Sequence, residues 1–251
     1  MGGMSASRPP VVFVHSFPLD ARMWSAQVEG LALHGYPCIT PDLPGCGAAS
    51  LPSADVTPSL DVYANAVARA LEGHSPAVVV GLSLGGYVAF RLLAKHPRRV
   101  RAVVLADTRA AGDAPEVKAG RILNSSLVNR HGAGALIDKM LPMLVAPTSP
   151  QSARDRVREI GAAQRPAAIS FALLAMRDRA DATPMLETLD LPTMFVVGEH
   201  DAITPPAEHR AMAARVKDAS LVEIPGAGHM SNLEAPERFN QALLRFLSAL
   251  R

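Results

Sequence analysis

The stretch AVVVGLSLGGYVAF, residues 77–90, sets a serine between two glycines at two-residue spacing: Gly81, Ser83 and Gly85. The apolar run before Ser83 reads as a buried strand and the run after it as a helix. Ser83 then stands on a very tight strand-to-helix turn that projects its hydroxyl. Side chains at positions 81 and 85 would collide as strand and helix close on each other, so both must be tiny. The same turn aims backbone N–H groups at any anion forming beside Ser83. A serine spaced in this way by glycines is common by chance. The strand–turn–helix setting is what makes it a candidate nucleophile.

A serine hydroxyl attacks poorly until a neighbouring base takes its proton. Eight histidines compete for that role. His34, His74, His96, His131 and His209 fall in or beside polar helix ends, where a solvated imidazole is the ordinary reading. His15 closes an apolar run and is expected to hydrogen-bond loop backbone, and His200 reads as a loop residue. His229 differs, because SLVEIPGAGHMSNLEAPERF leads from a strand through Gly226 and Gly228 into a helix. A loop leaving the carboxyl end of a late strand can bring His229 over Ser83. The base needs an acid to fix its tautomer and stabilise the imidazolium. Asp201, in MFVVGEHDAITP, leaves a strand's carboxyl end and is the preferred acid, with Asp107 in VVLADTRA as the rival. Glu199 precedes Asp201 and is expected to point elsewhere, and Asp42 in PDLPGCG reads as a turn-stabilising side chain. Attack on a carbonyl also creates an oxyanion that needs prepared donors. The N–H of Leu84, directly after the serine, is one candidate.

Positioning these groups falls to alternating short apolar runs and helical patterns. Strands are predicted at Val11–His15, Pro37–Pro41, Ala77–Leu82, Arg101–Ala106, Thr193–Gly198 and Ser220–Ile224. Most are continuous hydrophobics such as VVFV and AVVLA, as in parallel strands covered on both faces. Helices are predicted near Ala21–Leu33, Ser59–Leu71, Leu84–Lys95, Ala207–Val216 and Pro236–Leu250. The last carries apolar Phe239, Leu243, Phe246 and Leu250 at helical spacing. The alternation implies right-handed crossovers and an open, doubly wound sheet. From about Gly112 to Pro184 only helical pattern appears, broken by Pro142, Pro147, Pro150 and Pro166. The expected organisation is a core of residues 1–111 and 185–251, with residues 112–184 as a helical cap over the sheet's carboxyl edge.

The chain resembles the α/β-hydrolase superfamily over Val11–Ser50, Ala77–Asp107 and Leu191–Leu250. Within it, the similarity is to small carboxylesterases, cofactor-free haloperoxidase/perhydrolases and 3-oxoadipate enol-lactonases. The order Ser83, Asp201, His229 is that of the family's nucleophile, acid and base. The resemblance implies that the second oxyanion donor is the N–H of Phe17, the residue after a His-Gly pair. Here that pair is His15-Ser16, so glycine's freedom is absent. Cys46 also replaces the histidine usual in the PGxG turn. The family sheet usually opens with an antiparallel hairpin, for which the ten residues before Val11 are too few. A six-stranded, wholly parallel sheet is therefore expected.

A length of 251 residues with 49% hydrophobic and 19% charged residues supports a sizeable core and argues against disorder. The net charge is +2, with no basic tract beyond Arg98, Arg99 and Arg101 at a strand start, so nucleic acid is not an expected partner. Cys38 and Cys46 suit either a short-span disulfide or two reduced thiols. The opening MGGMSASRPP carries no secretory pattern and no apolar run reaches membrane-spanning length, so a soluble, cytoplasmic protein is expected. No H-E-x-x-H occurs, and GLSLGG lacks the G-x-G-x-x-G spacing, so neither metal nor cofactor is called for. The expected reaction is cleavage of a small-molecule ester through an acyl-enzyme, by a monomer or homodimer. Met140, Leu144 and Met176 are candidate lining of an apolar acyl pocket. Arg121 or Arg177 would serve as an anchor if the substrate were a carboxylated lactone, and a perhydrolase activity is a further alternative. From another class, a ligand sensor that keeps the triad with little turnover also fits.

Overall fold

The computed structural model describes residues 8–74 and 76–250. Residues 1–7, most of the segment expected to hold neither leader nor hairpin, lie outside the described residues. Strands β1 (Val11–Val14), β2 (Cys38–Ile39), β3 (Ala77–Leu82), β4 (Val100–Ala106), β5 (Thr193–Gly198) and β6 (Ser220–Ile224) form one sheet. Its order is β2-β1-β3-β4-β5-β6, and every neighbouring pair is parallel. Strands β1, β3 and β5 are buried on both faces, which is why they read as unbroken apolar runs.

Helices α1 (Ser25–Ala32), α2 (Leu60–Ala70), α3 (Leu84–Lys95), α8 (Pro206–Ala213) and α10 (Pro236–Ala249) connect or flank the strands, and α9 (Ser231–Glu234) is a single turn. Between β4 and β5 run α4 (Pro115–Leu144), α5 (Gln151–Ala162), α6 (Pro166–Arg177) and α7 (Thr183–Leu186). The first bends at Gly132, whose φ of 81° and ψ of 175° break the helical path where the run PEVKAGRILNSSLVNRH ends. Core side chains fall into two groups, one on each side of the sheet. Leu136, Ile169 and Leu173 join Val12 and Leu105 in one, while Leu141, Leu144 and Val157 join Val11 and Val104 in the other. The inserted helices thus pack into both halves of the core.

Two predicted elements change. The second strand covers Cys38–Ile39 rather than Pro37–Pro41, since only those two residues pair with β1 at the sheet edge. The helix predicted over Ala21–Leu33 is a 3-10 turn at Ala21–Trp24 followed by α1. Asp20 caps the turn by accepting the Arg22 N–H at 3.0 Å. Cys38 and Cys46 are both free thiols. Burial pushes them up to about 11 and about 12, so neither supplies a thiolate near neutrality.

Candidate active site

Ser83 leaves β3 with φ 54° and ψ −112°. A residue with a Cβ holds such a conformation at a cost of about 1–3 kcal/mol unless its surroundings impose it. Here they do. The Ser83 N–H donates to the Ala106 carbonyl at 2.9 Å, and Gly86 and Tyr87 donate to the Ser83 carbonyl at 2.9 and 3.2 Å. A methyl on Gly81 would lie 2.3 Å from the Gly85 carbonyl oxygen, and one on Gly85 would lie 2.0 Å from that of Val14. Strand and helix approach too closely for anything larger.

The loop from β6 to α9 carries His229 to this turn. The Ser83 hydroxyl and His229 Nε2 are 2.9 Å apart, and His229 Nδ1 lies 2.9 Å from Asp201 Oδ2. The imidazole is buried, with 1% of its surface exposed. A carboxylate accepting from Nδ1–H leaves the Nε2 lone pair facing the hydroxyl. Asp201 is itself held by the N–H groups of Ile203 and Thr204 at 2.8 and 2.9 Å and by the Thr204 hydroxyl at 2.6 Å. Burial pushes its carboxyl up, but attraction to His229 and these hydrogen bonds outweigh it and hold the group at about 2.

Asp107 takes a different position from Asp201. It accepts the Gly198 N–H at 2.8 Å and pairs with the Ser231 hydroxyl rather than with the imidazole. Burial, with the charge of Asp201 adding, holds its carboxyl well above the usual range. Glu199 points away and accepts the Gly226 N–H at 2.9 Å, and Asp42 accepts the Ala21 and Ala48 N–H groups as a turn brace. His15 Nε2 accepts the Leu43 N–H at 2.9 Å.

Leu84 is the first residue of α3, so its N–H precedes the intrahelical bonds and has no acceptor within the helix. Phe17 lies buried in the loop after β1. Its neighbour Ser16 is fixed by an N–H contact to Met23 Sδ at 3.2 Å and a hydroxyl bond to the Phe17 carbonyl at 3.1 Å. Among the described residues, positive φ outside glycine occurs only at Ser83, Asp107 and Asp218. Ser16 therefore adopts nothing that glycine alone could supply.

A small cavity of about 10 Å³ lies between Phe17, Leu84 and the Ala168, Ile169 and Ala172 face of α6. Met140, Leu144 and Met176, the lining expected from sequence, are not among the residues around it. Leu144 and Met176 are buried in the two core groups, and Met140 packs between them, because these positions join the inserted helices to the sheet. Arg121 is taken up by Asp113 and Arg177 by Asp178, so neither presents a free cation. An apolar groove of about 590 Å³ between β6 and α10 is lined by none of Ser83, Asp201 and His229. Among the described residues, no cluster of His, Cys, Asp or Glu could hold a metal ion, and no helix is long and apolar enough to cross a membrane.

Four residues near the site escaped sequence reasoning. His209 is fully buried, not solvated, and its Nε2 accepts the Thr108 N–H at 3.1 Å. Its place on the inner face of α8 was hidden by the polar sequence around it. Thr108 and Glu234 bond to the segments carrying Ser83 and His229, and the Ser231 hydroxyl donates to Asp107. Ser231 and Glu234 lie close after His229, but nothing in their types alone marks them.

Comparisons with known proteins place the fold. The chain is 33% identical over 236 residues to a pimeloyl-[acyl-carrier protein] methyl ester esterase of Neisseria meningitidis serogroup C, covering 91% of this chain and 90% of that protein. A thermophilic esterase from Thermogutta terrifontis superposes with a TM-score of 0.91 at 35% identity, over 96% of this chain and 90% of the other. The enol-lactonase from Burkholderia xenovorans LB400 does so with a TM-score of 0.87 at 25% identity, over 98% and 94%. The profile of the alpha/beta hydrolase family matches residues 11–242, and the chain belongs to that family.

Proposed function

We propose that the protein is a serine carboxylesterase acting on small or medium, mainly apolar esters, with Ser83 as nucleophile, His229 as base and Asp201 as the orienting acid. The observation that carries the reading is the continuous hydrogen-bond line Asp201–His229–Ser83 at the mouth of a strained turn. His229 Nε2 takes the Ser83 proton as Oγ attacks the ester carbonyl, and the N–H groups of Phe17 and Leu84 receive the oxyanion. The imidazolium then protonates the departing alcohol, and water enters by the same route to release the acid. No cofactor has a part in these steps. Residues 112–184 act as a cap, with Ala168, Ile169 and Ala172 closing the acyl side of the site.

The esterases among its relatives support ester cleavage, and the apolar cavity beside Phe17 and Leu84 favours an uncharged acyl group. A carboxylated lactone has less support, since Arg121 and Arg177 are already paired. Steady-state hydrolysis of p-nitrophenyl acetate and butyrate tests the reading. The chain should turn over many times, and Ser83→Ala should lower kcat by at least about a thousandfold. A stall after one equivalent would mark a ligand sensor, and an active Ser83→Ala would end the mechanism.

A further inference from the structure

Glu234 closes α9 five residues after His229, and its carboxylate turns back to the loop that carries the imidazole. Oε2 accepts the main-chain N–H of Gly228 at 3.0 Å and of Ala146 at 2.8 Å, while Oε1 accepts that of Met230 at 3.1 Å. Gly228 and Met230 are the two chain neighbours of His229. Glu234 is only 8% exposed, and a carboxylate so buried is costly unless donors fill its lone pairs. Charge-assisted bonds to peptide N–H groups are stronger than neutral ones, so this arrangement resists displacement.

Ala146 belongs to the connection between α4 and α5, which meets the same loop twice more. The Leu144 carbonyl accepts the Met230 N–H at 3.0 Å. A methyl on Gly228 would fall 2.4 Å from the Ala146 nitrogen. Arg154 braces the connection in turn, donating to the Ala146 and Pro147 carbonyls at 2.6 and 2.8 Å. One side chain thereby ties the main chain of both neighbours of His229 to the inserted helices.

We propose that Glu234 is a positioning residue for His229, holding the imidazole through the main-chain N–H groups of its two chain neighbours and making its placement depend on the seat of the α4–α5 connection. The proposal rests on reading Ser83, Asp201 and His229 as a triad. The imidazole must stay within reach of both Ser83 Oγ and Asp201 Oδ2, and a shift of about 1 Å costs about a hundredfold in rate.

Full-length Glu234→Ala, His229→Ala and the double variant, assayed for kcat and KM on p-nitrophenyl acetate, test it. Glu234→Ala should lower kcat about 10- to 100-fold with KM changed less than about twofold. In the His229→Ala background the same change should alter the residual rate by less than about twofold, because the group it acts through is gone. Glu234→Gln keeps an oxygen for Gly228 and Ala146 and serves if the alanine variant does not fold. Its loss should be about three- to tenfold and again absent without His229. Equal losses in both backgrounds, or no loss in either, overturn the assignment. A His229→Ala chain as active as the parent would instead overturn the triad reading, and the route through His229 with it.

Discussion

The Thr108 hydroxyl donates a 2.8 Å hydrogen bond to the main-chain carbonyl of Ser83. That carbonyl already receives Gly86 and Tyr87, so the threonine adds a third brace to the turn that carries Ser83. Thr108 also packs so tightly on α3 that a methyl on Gly86 would lie 2.4 Å from its Oγ1. Thr108→Val removes the hydroxyl while keeping the shape. It should cost about 1 kcal/mol in stability, read as a lower Tm, and lower kcat by about tenfold as the turn relaxes. Thr108→Ser should recover most of both. Parental kcat in the valine variant would show that the other bonds fix Ser83 unaided.

Below Thr108 lies His209, which burial holds down at about 4. Its Nε2 accepts a hydrogen bond and so must be unprotonated, with the proton on Nδ1 facing the Pro205 carbonyl. In the unfolded chain the imidazole takes up a proton near pH 6.5, so between 6.5 and 4 the unfolded state binds more protons. The stabilisation is complete above 6.5 and is lost as pH falls through 4. It amounts to at most about 3 kcal/mol, at roughly 1.4 kcal/mol per unit. His209→Gln should flatten the fall of Tm across that window. Parallel Tm-against-pH curves for parent and variant would refute this.

How far the site could be read in advance differs residue by residue. Ser83 announced itself because a serine on so tight a turn forces glycine at 81 and 85, and that steric demand is written locally. His229 and Asp201 were candidates because each follows a strand of a parallel sheet, whose carboxyl ends share one rim. Met140, Leu144 and Met176 pack in or against the two core groups rather than beside the cavity at Phe17. An apolar side chain on an inserted helix can face the sheet or the cavity, and periodicity does not distinguish two apolar surroundings. Glu234 and His209 were illegible because their partners are backbone N–H groups brought near by folding, which have no side-chain signature. The sheet was read almost whole, but the second strand shrank because only Cys38 and Ile39 of this edge segment pair with β1.

Asp201 and Asp107 both sit at strand ends, yet their carboxyls are driven in opposite directions. Asp201, held at about 2, stabilises the fold above the unfolded value near 3.8, and that contribution is lost as pH falls through 2. Asp107, held well above 3.8, keeps its proton where the unfolded chain releases it, so its contribution is full below 3.8 and declines as pH rises. Asp201→Asn should lower kcat by about 10³- to 10⁴-fold, since an amide no longer selects the productive tautomer. Asp107→Asn keeps a neutral group on Gly198 and Ser231. It should leave kcat within about threefold and raise Tm relative to the parent progressively as pH rises above the unfolded value near 3.8. A larger kcat loss in Asp107→Asn than in Asp201→Asn would reverse the two roles.

Ile169 controls the acyl side of the site in this reading. It is 2% exposed, and with Ala168 and Ala172 it presents α6 to the space beside Phe17 and Leu84. About 10 Å³ of free volume holds scarcely a water molecule, so a longer acyl chain must displace α6 or stay outside. Ile169→Ala deletes three carbons where helix and oxyanion loop meet. It should cost about 2–4 kcal/mol in stability as a buried aliphatic truncation. Each methylene newly accommodated adds roughly 1 kcal/mol of binding. The ratio of kcat/KM for p-nitrophenyl octanoate over acetate should therefore rise by about 10- to 100-fold. An unchanged ratio in a folded variant would place the acyl chain elsewhere, and the same panel on Leu19→Ala would then test the opposite wall of the cavity.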